Sequence, residues 1–334
     1  MTSHLTIAEP APRRRHPPPW TRPDGKSPPA LDLDLRAWFE CYLADCEARG
    51  LSPHTIAWYR DRGRRVIGRL ESIDVGVPAA LNRRAVSGLM SWVRGLEHRG
   101  RHLDSQTVLG YWQVGKAFVT FLRAEGAFEG PNPFDLFGKP RIREKSMWAP
   151  TAAQCLAMLK VPDRRRVRGV RDLVMLYILM DTGMRVSALA NIRVRDIDLI
   201  ERRIRVIEKG GKERILPFGV QVQRWLRRYL AAAGLVIEDF LFPGYTGQPI
   251  SRKRIDEVIK KCAVRAGVRE GNVSAHDLRR AFAREFLRNG GDMESLRQML
   301  GHSSYAMVKR YAELAADVVA AQHRRASPGD HLCV

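Results

Sequence analysis

The sequence predicts a mainly α-helical protein of two domains, with a small antiparallel β-sheet set into the C-terminal one. Three observations carry that expectation. Apolar residues recur at three- and four-residue intervals along most of the chain, the spacing of one helix face. The pattern breaks near residues 130–145, where prolines, a glycine and clustered charge mark a connection. It breaks again between Asp196 and Pro217, where short β-rich pieces surround a Lys-Gly-Gly-Lys turn. At 334 residues the chain is long enough for two ordinary domains.

Taken in order, residues 1–30 hold eight of the 19 prolines and the run Arg13-Arg14-Arg15. Such a composition cannot build a core and predicts a disordered, basic, proline-rich arm. From Leu31 helical spacing sets in, with Leu35, Trp38, Phe39, Tyr42 and Leu43 on one face. Ser52-Pro53 reads as a helix start, the hydroxyl as N-cap and proline at the first helical position. Further helices are expected over Arg84–His98 and Ser105–Arg123. The second turns Val108, Tyr111, Trp112, Phe118 and Leu122 to one side, as core residues and not as a platform for bases. Residues 31–128 thus form a helical domain. A linker over 129–147 follows, containing Gly130-Pro131-Asn132-Pro133 and the basic stretch from Lys139 to Lys145. The second domain, 148–313, is helical apart from strands at Ile197–Leu199, Ile204–Ile207 and Arg214–Leu216. A tail over 314–334 carries one more helix, Leu314–Gln322, and a polar end.

Composition narrows the partner. The formal net charge is +21, which steers a protein toward a polyanion, and double-stranded DNA is the usual one. Of the 57 basic residues 46 are arginines, a bias that a GC-rich genome also produces, so charge alone says nothing about chemistry. Five cysteines (Cys41, Cys46, Cys155, Cys262 and Cys333) show neither pairing logic nor zinc spacing and read as reduced cytosolic thiols. No apolar run approaches the ~20 residues that span a bilayer, and the N-terminus lacks the apolar core of a secretory signal. The expected setting is the cytoplasm, with no membrane association, no metal and no cofactor.

Six residues of the second domain form a candidate constellation. Arg185 follows Thr182-Gly183-Met184, with Gly183 as a terminator of the preceding apolar helix. Lys209 lies at the tip of the hairpin. His276 and Arg279, three apart, share a helical face. His302 follows Gly301, a C-cap for the helix of Leu296 and Leu300, and Tyr311 stands nine residues later on a helix capped by Ser303 or Ser304. Each piece alone is weak. His98 and Arg101 repeat the His-x-x-Arg spacing with no evident role, and a lone tyrosine on a late helix is usually core. Order and spacing together carry the argument.

Thr-Gly-Met-Arg-Val-Ser (182–187), Lys-Gly-Gly-Lys-Glu-Arg (209–214), His-Asp-Leu-Arg-Arg (276–280), Leu-Gly-His-Ser-Ser (300–304) and Tyr311 resemble the successive boxes of the tyrosine recombinases, the Xer proteins and phage integrases above all. The resemblance is strong over 148–313 and looser over 31–147, which it likens to the family's helical core-binding domain. It implies a two-domain DNA clamp and a site-specific recombinase that cuts and rejoins strands through a 3′-phosphotyrosyl bond, without metal or ATP. By the same resemblance Arg185, Lys209, His276, Arg279 and His302 surround the nucleophile Tyr311. Lys212 is the competing hairpin lysine; the family's catalytic lysine opens the turn, which favours Lys209. The resemblance further implies a homotetramer on paired DNA sites, a tail that docks on a neighbouring subunit, and accessory DNA-binding proteins. One departure stands out: Ala188 occupies the position where the family usually carries glutamate.

The chemistry fits these residue types. A pentacoordinate phosphorane needs preorganised cations, and guanidinium offers a charged bidentate fork. Histidine can take or return the tyrosine proton. The 5′-oxygen leaves poorly without a proton, which a lysine on a hairpin can give, and the tyrosyl phosphate conserves the energy of the broken bond. Two other readings share the fold: a type IB topoisomerase-like strand transferase, and a DNA-binding protein that has lost catalysis, which an intact set of six disfavours. A metal-dependent transposase or nuclease needs a carboxylate cluster that the sequence does not display.

Overall fold

The structure, a computed structural model, describes residues 33–142, 147–207, 211, 213–301, 305, 311, 323, 324, 327 and 330. The chain divides into two compact units, Met1–Lys145 and Ser146–Val334. The expected arm over 1–30 and nearly all of the tail over 314–334 lie outside the described residues. No helix among the described residues is long and apolar enough to cross a membrane.

In the first unit α1 (Leu35–Ala48) and α2 (Pro53–Glu71) start on Asp34 and Ser52, whose side chains accept the amides of Ala37 and Thr55. The Ser52-Pro53 signal is therefore used as read. α3 (Arg83–Gly95) ends earlier than the spacing predicts. Beyond it a two-residue hairpin, β1 (Glu97–His98) and β2 (Arg101–His102), pairs His98 directly with Arg101. The second His-x-x-Arg is thus an exposed turn, which explains its lack of a role. α4 (Ser105–Ala124) supplies much of the core: Phe121 and Phe118 meet Trp38 and Phe39 of α1 edge to face, and both meet Tyr42 at a tilt.

The connection is shorter than predicted. Asn132 caps a helix, α5 (Pro133–Phe137), and Phe134 is fully buried in the first unit's core. The Trp112 indole N–H donates to the Phe134 carbonyl at 3.0 Å. Gly115 makes this possible, since a Cβ there would stand 2.1 Å from the Phe134 ring. Residues 129–137 therefore belong to the first unit and do not link it to the next.

The second unit opens with α6 (Ala152–Leu159), closed at its start by a capping box of Thr151 and Gln154. α7 (Val167–Thr182) is its central helix, packed on later helices and buried along Leu173, Val174, Leu176, Ile178 and Leu179. After α8 (Val186–Asn191) come three antiparallel strands, β3 (Ile197–Asp198), β4 (Arg203–Ile207) and β5 (Glu213–Pro217), in sequence order. Register places Ile204 opposite Leu216 and Ile207 opposite Glu213, so β4 and β5 form the expected hairpin. α9 (Val220–Ala233), α10 (Arg252–Arg265), α11 (Ala275–Arg288) and α12 (Met293–Leu300) complete the described helices. Arg284 of α11, itself buried, donates to the Ala149 and Pro150 carbonyls at 3.1 and 2.6 Å and pins the entry of α6.

Candidate active site

The site grows from the way α7 ends. Gly183 takes a left-handed conformation (φ 60°) and stops the helix. The buried Thr182 hydroxyl donates to the Ile178 carbonyl at 2.7 Å and accepts the Met184 amide. Met184 turns into the core, and Arg185 stands exposed as the residue before α8. Gly183 has a second reason to be glycine: a Cβ would meet the Phe282 ring at 2.2 Å. Ala188, on α8, is buried in the main core of the unit.

α11 brings the next pair. Ser274 and Asp277 form a capping box that fixes its first turn, and Asp277 also pairs with Arg280 at 3.0 Å. His276 lies on that first turn and is exposed, whereas Arg279 one turn on is only 4% exposed. Leu278 and Phe282 point into apolar clusters, as the spacing requires. Crowding by protein, and then the charges of Arg280 and Arg279, hold the His276 pKa below the ordinary histidine value; Asp277 opposes them.

Arg279 reaches in two directions. One guanidinium nitrogen donates to the Gly183 carbonyl at 2.7 Å and the other to the Leu300 carbonyl at 2.6 Å. Its side chain is also hydrogen-bonded to Tyr311, which is 3% exposed among Phe282, Ala283, Leu287, Leu296 and Leu300. Burial lowers the Arg279 pKa; the Tyr311 hydroxyl opposes, and the nearby charges of Arg185 and Arg214 lower it further. Arginine nonetheless stays protonated. Arg279 thus touches the tyrosine and feels the charges of two further guanidinium groups.

The structure places Arg185, His276, Arg279 and Tyr311 of the six sequence candidates. Lys209, Lys212 and His302, with the capping serines 303 and 304, lie outside the described residues. Gly301 does end α12 in a left-handed conformation (φ 63°), the position from which residue 302 departs. Among the described residues no three His, Cys, Asp or Glu side chains come together in a way that could hold a metal ion.

One residue was not singled out by sequence reasoning. Arg214, on β5, donates from one nitrogen to the Gln298 and Met299 carbonyls at 2.9 and 2.8 Å. With Arg279 on Leu300, three successive carbonyls at the end of α12 accept from two arginines. The Gln298 carbonyl also accepts the amide of the C-cap Gly301 at 3.1 Å. Carbonyls at a helix C-terminus carry the negative end of its dipole, so cations belong there. The arginine is visible inside the 209–214 box, but no local pattern tells where its side chain goes.

Comparison with known proteins closes the case. The model of the phage integrase family matches residues 151–317. Tyrosine recombinase XerD of Staphylococcus aureus is 31% identical over 285 residues, 84% of this chain and 94% of that protein. XerD of Staphylococcus saprophyticus is 28% identical over the same shares. Among solved structures, lambda integrase (75–356), crystallised as a dimer bound to a COC′ core site, superposes with a TM-score of 0.67 at 16% identity, covering 82% of this chain and 97% of that one. XerH bound to a palindromic difH substrate gives 0.62 at 18% identity, over 75% and 73%. These likenesses show the fold. With its boxes in order, its helical units and its integrase sheet in place, the chain belongs to the phage integrase family and is a tyrosine recombinase, an enzyme of site-specific DNA recombination.

Proposed function

We propose that Tyr311 attacks the scissile phosphate and joins to its 3′ side, releasing a 5′-hydroxyl. Arg185 and Arg279 hold the non-bridging oxygens as charge develops, and His302 adds a donor to one of them. His276, held largely neutral near pH 7 by its lowered pKa, accepts the phenolic proton and returns it when the strand is rejoined. Lys209 protonates the departing 5′-oxygen. The reverse attack by a 5′-hydroxyl from a partner strand completes exchange, with no need of ATP, metal or other cofactor.

The observation that carries this reading is the bridge made by Arg279. One buried cation holds the carbonyl two residues before Arg185, holds the end of the helix that leads to His302, and touches Tyr311. A phosphate gripped by Arg279 would stand beside the tyrosine.

The enzyme acts on double-stranded DNA in the bacterial cytoplasm, with residues 31–128 as the core-binding arm of a clamp and 148–313 as the catalytic arm. Four copies assemble on paired sites, the 314–334 tail docking on a neighbour, and accessory DNA-binding proteins set direction. A lambda integrase tetramer bound to a Holliday junction shares the fold at a TM-score of 0.64, which supports such an assembly. A tetramer on paired sites would also separate recombination from monomeric strand relaxation.

The test is a nicked suicide substrate incubated in EDTA. Wild type should accumulate a covalent protein–DNA adduct, and Tyr311→Phe should bind with unchanged affinity and form none. An adduct with the Phe variant would move the nucleophile elsewhere. A wild-type adduct that needs added magnesium would end the metal-free mechanism.

A further inference from the structure

We infer that Trp58, Arg62 and Tyr111 form a grip for a DNA phosphate on the first unit, with Arg62 as the group that meets the charge. The inference rests on the reading of residues 31–128 as the core-binding arm. The Arg62 guanidinium lies over the Trp58 ring, 4.7 Å from its centroid, and 6.0 Å from that of Tyr111 on α4. The indole is itself buttressed: Trp58 meets Tyr59 edge to face at 5.3 Å, and Tyr59 meets the buried Tyr42 of α1 at 5.4 Å. α4 comes this close because residue 110 is glycine; a Cβ there would stand 3.0 Å from Arg62 Nε and 3.2 Å from the Trp58 ring. Arg62 Nε is buried and makes no hydrogen bond. The exposed Asp61 carboxylate stands 4.0 Å from a terminal nitrogen, beyond hydrogen-bonding reach. The end of the guanidinium is therefore held in place by rings yet uncommitted, on a side chain 22% exposed. Arg69, seven residues on, shows the alternative: it lies on Trp92 at 5.8 Å but donates a terminal N–H to Ser72 at 3.2 Å. The setting favours an anion. α2 carries five arginines against Asp61 and Glu71, whereas α1 carries one arginine against Glu40, Asp45 and Glu47. A guanidinium already ordered by aromatic faces loses little further freedom on binding, and its terminal fork matches two phosphate oxygens.

Equilibrium binding of the full-length protein to a labelled duplex of arbitrary sequence, followed from about 50 to 200 mM salt, tests this, with the melting temperature measured for every variant. Arg62→Gln removes the charge but keeps a planar group on the indole. The slope of log K against log salt should become shallower by about 0.9, and affinity near 0.1 M salt should fall roughly 5- to 10-fold. Arg62→Lys keeps the charge and so the slope, and should lose about two- to threefold for want of the fork. Trp58 is a positioning residue that acts through the arginine. Trp58→Leu should weaken binding about two- to threefold alone and change nothing further in Arg62→Gln. An unchanged slope in Arg62→Gln overturns the grip, as does a Trp58→Leu loss that persists in the double variant, or a loss that follows the unfolded fraction. If Arg62→Gln melts within the assay range, the lysine variant decides: a folded Arg62→Lys whose slope is shallower by the full 0.9 or so overturns the grip. Photo-crosslinking of the wild-type complex keeps the two ideas apart. Crosslinks within residues 33–142 and an unchanged Arg62→Gln slope remove the grip alone. No crosslink there, with the slope unchanged, removes the core-binding reading as well.

Discussion

His276 and Arg279 sit one turn apart on α11, yet one is exposed and the other sealed, and their electrostatics follow. Because the folded His276 holds its proton less tightly than a free histidine, it should serve as a base below the ordinary pKa of ~6.5. The acid limb of kcat/KM for cleavage should therefore fall below that value and vanish in His276→Gln; a limb at or above it would count against His276. The stability sign is the same: as pH drops below ~6.5 the unfolded chain binds a proton the native state resists, so folding loses free energy there. Lys209 is open to a sharper chemical check. A 5′-bridging sulfur leaves without a proton, so Lys209→Ala should cleave normal DNA about 10²–10⁴-fold slowly yet recover on the phosphorothiolate. Lys212→Ala should be mild on both substrates, and Arg185→Ala should show no selective rescue; a sulfur-rescued Lys212 defect would move the acid by three residues. The candidate residues could be read from sequence because chemistry restricts the residue type at each box. Arg214 could not, because its task depends on carbonyls brought to it from α12 by the fold.

At the scale of elements, ends are more informative than middles. Gly183 ends α7, takes a conformation side chains rarely adopt, and lies under the Phe282 ring. Gly183→Ala should cost ~2–4 kcal/mol, a left-handed penalty plus overpacking, and should depress cleavage because Arg185 is two residues on. Gly50→Ala is the comparison: its φ is 72° but nothing stands within 4 Å of the added carbon, so only the ~1–2 kcal/mol backbone part remains. Thermal melts of the two variants check this, and equal losses would show that Phe282 yields. The helix starts at Ser52 and the stops at Gly183 and Gly301 were legible because caps are local chemistry. The linker was misjudged although Asn132-Pro133 is the same start signal as Ser52-Pro53. A five-residue helix is too short to show periodicity, and the burial of Phe134 depends on a gap over Gly115, which lies against it in space but 19 residues earlier in the chain.

For the whole molecule, charge was the most legible property and the least specific. Residues 1–30 carry five basic and two acidic side chains. A protein lacking them should retain its melting temperature and its suicide-substrate adduct, while DNA affinity weakens and the slope of log K against log salt becomes shallower by up to about 4. A truncated protein that fails to fold would make the arm structural. The boundary between the two units, at 145 and 146, falls inside the 129–147 stretch read as a linker, but the buried α5 within that stretch was not read, since short-range composition cannot tell a buried proline turn from an open one. The bridges at the end of α12 bear finally on how such a site comes to be assembled. Gly183 and Arg279 are 96 residues apart in the chain, and Arg214 and Met299 are 85 apart. Contacts of such long sequence separation form late, after their closure entropy has been overcome. A half-folded chain in which these contacts have not closed lacks the bridges from Arg279 to Gly183 and from Arg214 to α12, so the surroundings of Tyr311 depend on the folding of the whole unit.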